Sequence, residues 1–421
     1  MSYFKPISIS LSPNVERDDL KIALNLIIRP WLWRKGKATG ELEGQFRQYL
    51  GVKYAVSFNS GRSALMAILE ALEIKKGEEI LLQAFTCNSA VNPILKKGAT
   101  PIFVDIDNTL NLAPLDLMKK ISPRAKAVMV QHNFGMPAQM DEILKICREK
   151  NLILIEDCAH ALGAKFKGKF CGTFGKAAFF SFGRDKIISS IFGGMAATDD
   201  VEIGKRLKNF QEKLDFPSNL WIVQQLLHPI LVNYLVLPAY GLNQYLGRIL
   251  IGFFHKVLLL SKAVYGKEKM GEIPGHFPKR LPGALSILAL NQFKKLARFN
   301  EHRRTIASLY EKELKKFNLP LSQFPSDKEP VFMRYPVLIE RKTDEILKEA
   351  RQKGFFLDDG WRKSVVVPPD TSIKKMNYLP GTCPRAEKVA ETILNLPTHI
   401  NISRLEARKI VEFLRKFNNL S

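Results

Sequence analysis

The sequence predicts an α/β protein, with a mostly parallel sheet covered by helices on both faces and a smaller C-terminal α+β domain. Three observations predict it. Short apolar runs recur between segments of helical periodicity. The runs are continuously apolar rather than alternating, as in strands buried on both faces. Their strand–helix–strand order calls for crossover connections and hence parallel pairing. At 421 residues the chain is longer than one small domain needs.

Residues 1–50 read as an N-terminal lead-in. Asp18–Ile28 is partly amphipathic, and Pro30-Trp31-Leu32-Trp33-Arg34-Lys35 joins aromatic to basic residues. That segment suits either a membrane surface or a helix and loop packed on protein. The packed reading is the stronger, because Trp is common in interfaces.

Residues 51–280 form the expected large domain. Its apolar runs are Tyr54–Phe58, Glu79–Leu82, Pro101–Val104, Ala127–Val130, Leu152–Ile155 and Ala177–Phe182, with a further strand after Gly193-Gly194. Helices are expected at Ser63–Leu72, Asn88–Lys97 and Met140–Glu149. In such sheets ligands bind beyond the C-terminal ends of strands, so those ends are where chemistry should sit.

An apolar helical insertion is expected at about 216–265. Phe216–Gly247 contains no Asp, Glu, Lys or Arg over 32 residues. A spanning helix needs roughly 20 mainly apolar residues. Leu220–Leu237 approaches this, but Gln224, Gln225, His228, Pro229 and Asn233 interrupt it. Two readings stay open: a helical hairpin in a membrane interface, or helices packed on another subunit.

Residues 281–421 form the expected small domain: helical Ala284–Lys315, strand-like Val331–Ile339, helix Thr343–Lys353, a Pro- and Gly-rich loop over 367–384 and a last helix Ser403–Phe417.

Composition narrows the function. The formal net charge of +23, with a pI near 9.7, favours an anionic partner. The basic residues are scattered and no helix-turn-helix, zinc or RNA-binding signature occurs, so nucleic acid is not expected as that partner. Five cysteines, at 87, 147, 158, 171 and 383, form no CxxC pair. That argues against a disulfide framework or a structural zinc site, and no metal is expected. With no basic-then-apolar leader at Met1, the expected address is cytoplasmic.

Three strand ends carry candidate chemistry. Asn59-Ser60-Gly61-Arg62-Ser63-Ala64 is a small-residue turn opening a helix. It reads as an anion cradle or as an ordinary N-cap. Leu152-Ile-Leu-Ile-Glu-Asp157-Cys-Ala-His160 ends a buried strand on two carboxylates. Asp157 could face a protonated pyridine nitrogen, ligate a metal or cap a helix. Ala178–Lys186 delivers Ser181 and then Lys186 beyond a strand, where a desolvated lysine can form a Schiff base or simply lie on the surface. Together the three are more specific than apart. An anion cradle, an aspartate, a hydroxyl and a lysine, in that order, are what pyridoxal 5'-phosphate requires.

On these residues the sequence resembles the DegT/DnrJ-type sugar aminotransferases. The matching stretches include Ser60–Leu65, Gly98–Asp107, His132–Gly135 with Met140-Asp141, Glu156–Gly163, Gly172–Gly175, Ser181–Lys186, Gly193-Gly194 and Asn395–His399. They span about 40–212 and 275–417. The resemblance implies the type I (aspartate aminotransferase) fold of pyridoxal-phosphate enzymes, with a mostly parallel seven-stranded sheet. It implies Lys186 as the cofactor's covalent anchor and proton carrier, and Asp157 as the partner of its ring nitrogen. It further implies His160 at the cofactor's phenolic oxygen, and Ser181, Gly61, Arg62 and Ser63 at its phosphate. Such members act on keto sugars with an amino donor, and homodimers are usual.

Four positions depart from the family pattern. Arg62 stands where Thr is usual, and Cys87 where the aromatic ring-stacker falls, with Phe85 as the nearest aromatic substitute. Pro278 replaces an Asn that reaches a partner's phosphate, and the 216–265 region is enlarged. The expected function is therefore transfer of an amino group, from glutamate, to a nucleotide- or lipid-linked keto sugar, at the inner face of the membrane if the insertion touches lipid. Two alternatives remain: a non-catalytic cofactor-binding or assembly scaffold, and a sugar dehydratase. Lys186 speaks against the dehydratase, because His replaces it in that branch.

Overall fold

The seven apolar segments assemble into one sheet in the computed structural model, which describes residues 6–315, 326–339 and 343–418. They are β1 (Tyr54–Phe58), β2 (Glu79–Gln83), β3 (Thr100–Val104), β4 (Ala125–Gln131), β5 (Ile153–Asp157), β6 (Ala177–Ser181) and β7 (Gly194–Thr198). Their order across the sheet is β1-β7-β6-β5-β4-β2-β3. β7 runs antiparallel to β1 and β6, and the remaining pairs are parallel.

Both faces of the sheet are buried, which is why the strands carry no polar alternation. Val56, Phe58, Ile80, Leu82, Met129 and Phe179 pack on one side with helix Gly61–Ala71. Across β2 to β5, Leu81, Val104, Val128 and Leu154 pack on the other side with helix Met140–Glu149. Across β6 and β7, Ala178, Phe180 and Met195 meet helices from the N-terminal stretch. Helices Asn88–Lys97 and Met140–Glu149 have the expected bounds, and the helix expected from Ser63 begins at Gly61, two residues early, because Ser60 caps it.

The lead-in is an integral layer. Leu42, Phe46 and Leu50 of helix Lys37–Leu50 are buried against Ala284, Leu285 and Leu288 of helix Gly283–Phe293. Trp33 Nε1 donates to the Leu26 carbonyl at 2.6 Å, while Trp31 is exposed.

The expected division near residue 281 falls inside this layer. Helix Gly283–Phe293 is apolar nearly all round and belongs to the core beside β6 and β7. The single helix expected over 284–315 is two, broken at Lys294-Lys295. The separate C-terminal core begins with helix Leu296–Lys315 and closes on the antiparallel pair Arg334–Leu338 with Ile393–Pro397 and on helix Arg404–Asn418. The loop between them returns to the large domain, where it forms a separate two-stranded pair. Val366-Val367 pairs in parallel with Thr86-Cys87, and Trp361 and Met376 join the core beneath.

The insertion is helical, as expected. Asn219–Leu231, capped by Ser218, runs through a widened π turn at Val232–Val236 into Leu237–Leu242, and Gln244–Lys256 returns. Pro238 follows the π turn; its missing N–H accounts for the local loss of α spacing. Asn219–Leu242 is long and apolar enough to cross a membrane, but 56% of its most apolar window is buried against protein. It packs on helix Arg17–Ile27 of its own chain rather than standing free.

Candidate active site

The C-terminal ends of β1, β4, β5 and β6 open into one cavity of about 500 Å³. Ser60, Gly61, Arg62, Cys87, Gln131, Asp157, His160, Ser181 and Lys186 all line it. Eight sequence-predicted site residues were named, and seven of them meet here; Ser63 does not.

At the end of β1 the chain turns into helix Gly61–Ala71. Ser60 caps it by accepting the Ser63 amide at 3.1 Å, and its carbonyl takes the Ala64 amide. The Ser63 hydroxyl donates to Asn59 Oδ1 at 2.8 Å and is fully buried. Both polar groups of Ser63 are spent on the turn, so the assignment of Ser63 to a phosphate is corrected. Gly61 and Arg62 begin the first turn, where N–H groups lack intrahelical partners and the dipole favours an anion. The backbone is tightly stacked here: a Cβ on Gly194 of β7 would lie 2.5 Å from the Gly61 nitrogen.

Arg62 does not offer a free charge to that cradle. It forms an ion pair with buried Glu268, donates to the Ala263 carbonyl at 3.2 Å and lies over the Phe277 ring. The departure at 62 is thus matched by residues that follow the insertion.

Asp157 ends β5. Its carboxylate accepts from Gln131 Nε2 at 2.7 Å and from the Ala159 amide at 2.9 Å. Burial pushes its carboxyl above the ordinary range, against the pull of those donors and of Lys186. Lys186 Nζ lies 2.9 Å from His160 Nε2, and His160 Nδ1 accepts the Phe134 amide at 3.3 Å. Burial, with the charges of Lys186 and Arg334, holds His160 well below its usual value and therefore neutral. Its ring stacks on Phe134 and meets the edge of Trp361 at 4.9 Å.

The lysine is fixed from behind. Asn14 donates to the Lys186 carbonyl, and buried Arg303 donates to Asn14 Oδ1 at 2.7 Å and to the Ile187 carbonyl at 3.1 Å. Asp185 bonds Arg334, which also pairs with Asp359 at 2.8 Å. Burial alone would raise the Asp185 carboxyl, but Lys186 and Arg334 outweigh it and hold it low.

Cys87 borders the cavity, half-buried, with Sγ 3.5 Å from Ser89 Oγ. Phe85 does not replace the missing aromatic ring. Its backbone is left-handed (φ 59°), and its side chain is fully buried against Phe134 and Trp361, off the cavity wall. Trp361 reaches the cavity, as do Phe179 and Phe192. Sequence reasoning missed Trp361, since it lies in a loop with no periodic signal. Gln131 was also missed, although its place at the end of β4 could have found it.

The second carboxylate of the pair, Glu156, is structural. It accepts amides of Gly172, Phe174 and Gly175 at 2.6 to 2.8 Å, and His132 Nε2 lies 3.2 Å away. His132, Glu156 and Cys158 cluster like metal ligands, but Glu156 is saturated by these donors and His132 Nδ1 takes the Ala138 amide. This accounts for the Gly172-Thr-Phe-Gly175 turn rather than for a metal.

The insertion forms the far wall. His228, Ile251, His255 and Lys262 line the same cavity, with Arg184 facing them from the β6 loop. The polar residues that interrupt its apolar run point inward: Gln224 donates to the Leu258 carbonyl, Gln225 accepts from Ser261, and His228 bonds Ser12.

These residues fit pyridoxal phosphate. A helix N-terminus with Ser181 suits its phosphate, a buried carboxylate suits its ring nitrogen, and an amine stands on the same cavity for its aldehyde.

Comparison with known proteins agrees. The model of the DegT/DnrJ/EryC1/StrS aminotransferase family matches residues 15–213 and 260–415, and the gap between them is the insertion. GDP-perosamine synthase of Escherichia coli O157:H7 is 40% identical over 182 residues, 43% of this chain and 50% of that protein. The chain thus spans about half the length of the first curated relatives it matches. UDP-N-acetyl-3-dehydro-alpha-D-glucosamine 3-aminotransferase of Acidithiobacillus ferrooxidans is 26% identical over 406 residues, 95% of this chain and 94% of that one. In fold, the chain is similar to Helicobacter pylori PseC, an aminotransferase involved in the biosynthesis of pseudoaminic acid. The TM-score is 0.75 at 23% identity, covering 99% of this chain and 100% of that one.

Proposed function

The chain belongs to the DegT/DnrJ/EryC1/StrS aminotransferase family, and from that premise we propose that it is a pyridoxal-phosphate-dependent sugar aminotransferase. It transfers an amino group, from glutamate as donor, to a keto sugar carried on a nucleotide or a lipid. One observation carries this reading: a single cavity holds the Lys186 amine and the Asp157 carboxylate, with His160 2.9 Å from Nζ.

When bound, pyridoxal phosphate supplies an aldehyde and a protonated ring that draws electrons from the substrate carbon. Lys186 holds that aldehyde through Nζ and carries a proton to and from the substrate carbon. His160 Nε2 orients Nζ. Asp157 keeps the ring nitrogen protonated, since a carboxylate buried this deeply gains most from a cation opposite it. Ser181 and the amides of Gly61 and Arg62 bind the phosphate, and Arg334 with Asp359 fixes the loop on the other side of Lys186.

The purified protein should absorb in the visible, and Lys186→Ala should abolish that band. Glutamate should bleach the band of the unaltered protein to the cofactor's amino form, and the right keto sugar should restore it. A band indifferent to every amino donor would leave a cofactor-binding scaffold and reject the transferase.

The same reading includes a homodimer and a peripheral membrane contact, at the inner face of the membrane and on the cytoplasmic side. The outer face of the insertion supports the contact: Leu242, Tyr245, Ile249 and Phe253 are all more than half exposed. From Phe216 to Lys267 the chain carries Arg248, Lys256, Lys262 and Lys267 but no Asp or Glu. Apolar side chains set among basic ones suit anionic lipid headgroups. Flotation with anionic liposomes, before and after deletion of 218–262, tests the contact, and sedimentation velocity tests the dimer.

A further inference from the structure

Catalysis as proposed leaves the insertion end of the cavity unused. Arg184, His228, His255 and Lys262 line the cavity, and the charge of Arg184 acts on both histidines. Arg184 is enclosed: one Nη donates to the carbonyl and hydroxyl oxygens of Ser261, each at 2.6 Å, and its Nε has no hydrogen-bond partner. Ser261 is itself held by Gln225 at 2.7 Å, so the guanidinium rests on a fixed support.

The hydrogen bonds of Arg184 include no carboxylate among the described residues, although the charge of neighbouring Asp185 acts on it. Asp185 is engaged by Arg334 and Lys186, and Glu268 by Arg62. Lys262 has no ion pair among the described residues, while Lys269 on the same wall pairs with Asp370. The Ser12 hydroxyl can donate to His228 Nδ1 and leave its Nε2–H for a ligand, whereas His255 donates from Nδ1 to the Leu260 carbonyl and meets an anion through Nε2 only when that anion draws a second proton onto the ring. A half-buried cation whose nearest carboxylate is shared with two other cations gains from an anionic ligand. Leu11 and Ile251 border the cavity as well, so the anion must carry an apolar or aromatic neighbour without penalty.

We propose that Arg184, His228, His255 and Lys262 form a subsite for the diphosphate that joins the keto sugar to its carrier, built by the insertion and separate from the phosphate cradle at Gly61. The identity of the sugar end rests on the aminotransferase reading; the diphosphate end rests on these side chains alone.

Calorimetric titration of the holoenzyme with inorganic pyrophosphate tests it, with UDP and farnesyl diphosphate as parallel arms. Arg184→Gln should weaken pyrophosphate binding at least about tenfold, and Lys262→Gln and His255→Gln about threefold each. The visible band of the cofactor should stay in all three. Tighter binding of UDP assigns a nucleotide carrier, and tighter binding of farnesyl diphosphate a lipid one. Lys262 is exposed and His255 half-buried, so those variants keep the fold and guard against a misfolded Arg184→Gln. Unchanged binding in Lys262→Gln and His255→Gln overturns the proposal. So does parallel loss of the cofactor band in Arg184→Gln, which would assign this arginine to the cofactor's own phosphate. No amino donor is present in the titration. A failed glutamate reaction with pyrophosphate binding intact therefore rejects the transferase and leaves the subsite standing.

Discussion

The sheet and the insertion approach the same cavity in opposite ways. Along the sheet each strand is apolar through its length and delivers its polar group at the last residue: Gln131 from β4, Asp157 from β5, Ser181 from β6. In helix Asn219–Leu231 the polar residues lie along the inner side, with Gln224, Gln225 and His228 buried, while Leu220 is exposed. Tyr245, Ile249 and Phe253 of the returning helix are likewise turned outward. Topology sets the address of a polar group at a strand end. In the insertion the address depends on what each helix face meets, and hydropathy alone does not say which face that is.

The sharpest way to test the sheet side is Asp157→Asn. It keeps the shape and the Gln131 contact but removes the charge. Transamination should fall at least about 10²-fold, measured as kcat with saturating donor. Retained turnover would show that the strand-end carboxylate is not tied to the chemistry.

The junction between the two regions comes next. Glu268→Gln leaves Arg62 without its carboxylate, and breaking a buried pair costs about 3–5 kcal/mol. Urea unfolding should show that loss, and adding Arg62→Thr should recover part of it. If Glu268→Gln is neutral, the cradle and the insertion are not coupled through this pair.

Acid should loosen the same junction. Burial first, and the charge of Arg62 second, pull His276 from 6.5 down to about 4. Between those values the unfolded chain binds the proton and the folded one does not. Stability therefore rises with pH across that window and is lost as pH falls through it. Buried His160 and His228, also held low, act in the same direction. In His276→Gln the urea midpoint should change less between pH 7 and pH 4.

The smallest effect on stability belongs to the outer face. Ile249→Asp and Phe253→Asp should each change unfolding free energy by no more than about 0.5 kcal/mol, because both residues are mostly exposed. Both should lower flotation with anionic liposomes. A large loss of stability instead would mean that the outward face is packed on something in solution.

Much of the sheet was legible because parallel strands buried on both faces leave continuous apolar runs, and the strand-end rule then pointed at Asp157, Ser181 and Lys186. Ser63 misled because a hydroxyl at the start of a helix serves a cap and an anion equally well in sequence; only the bond to Asn59 separates them. Arg62 could not be read without Glu268, 206 residues later. Trp361, Asn14 and Arg303 reach the site through tertiary contacts between distant segments, and no local pattern marks such contacts.

The two-residue pairing of Val366-Val367 with Thr86-Cys87 has a mechanical result. The segment leading to the C-terminal core is stitched by backbone hydrogen bonds to the strip that carries Cys87. If that core swings to admit a sugar, it cannot rotate as one piece from residue 296 onward. The hinges must fall on either side of the stitch, between Leu357 and Trp361 and again beyond Ala390, so Trp361 and Cys87 both stay with the floor.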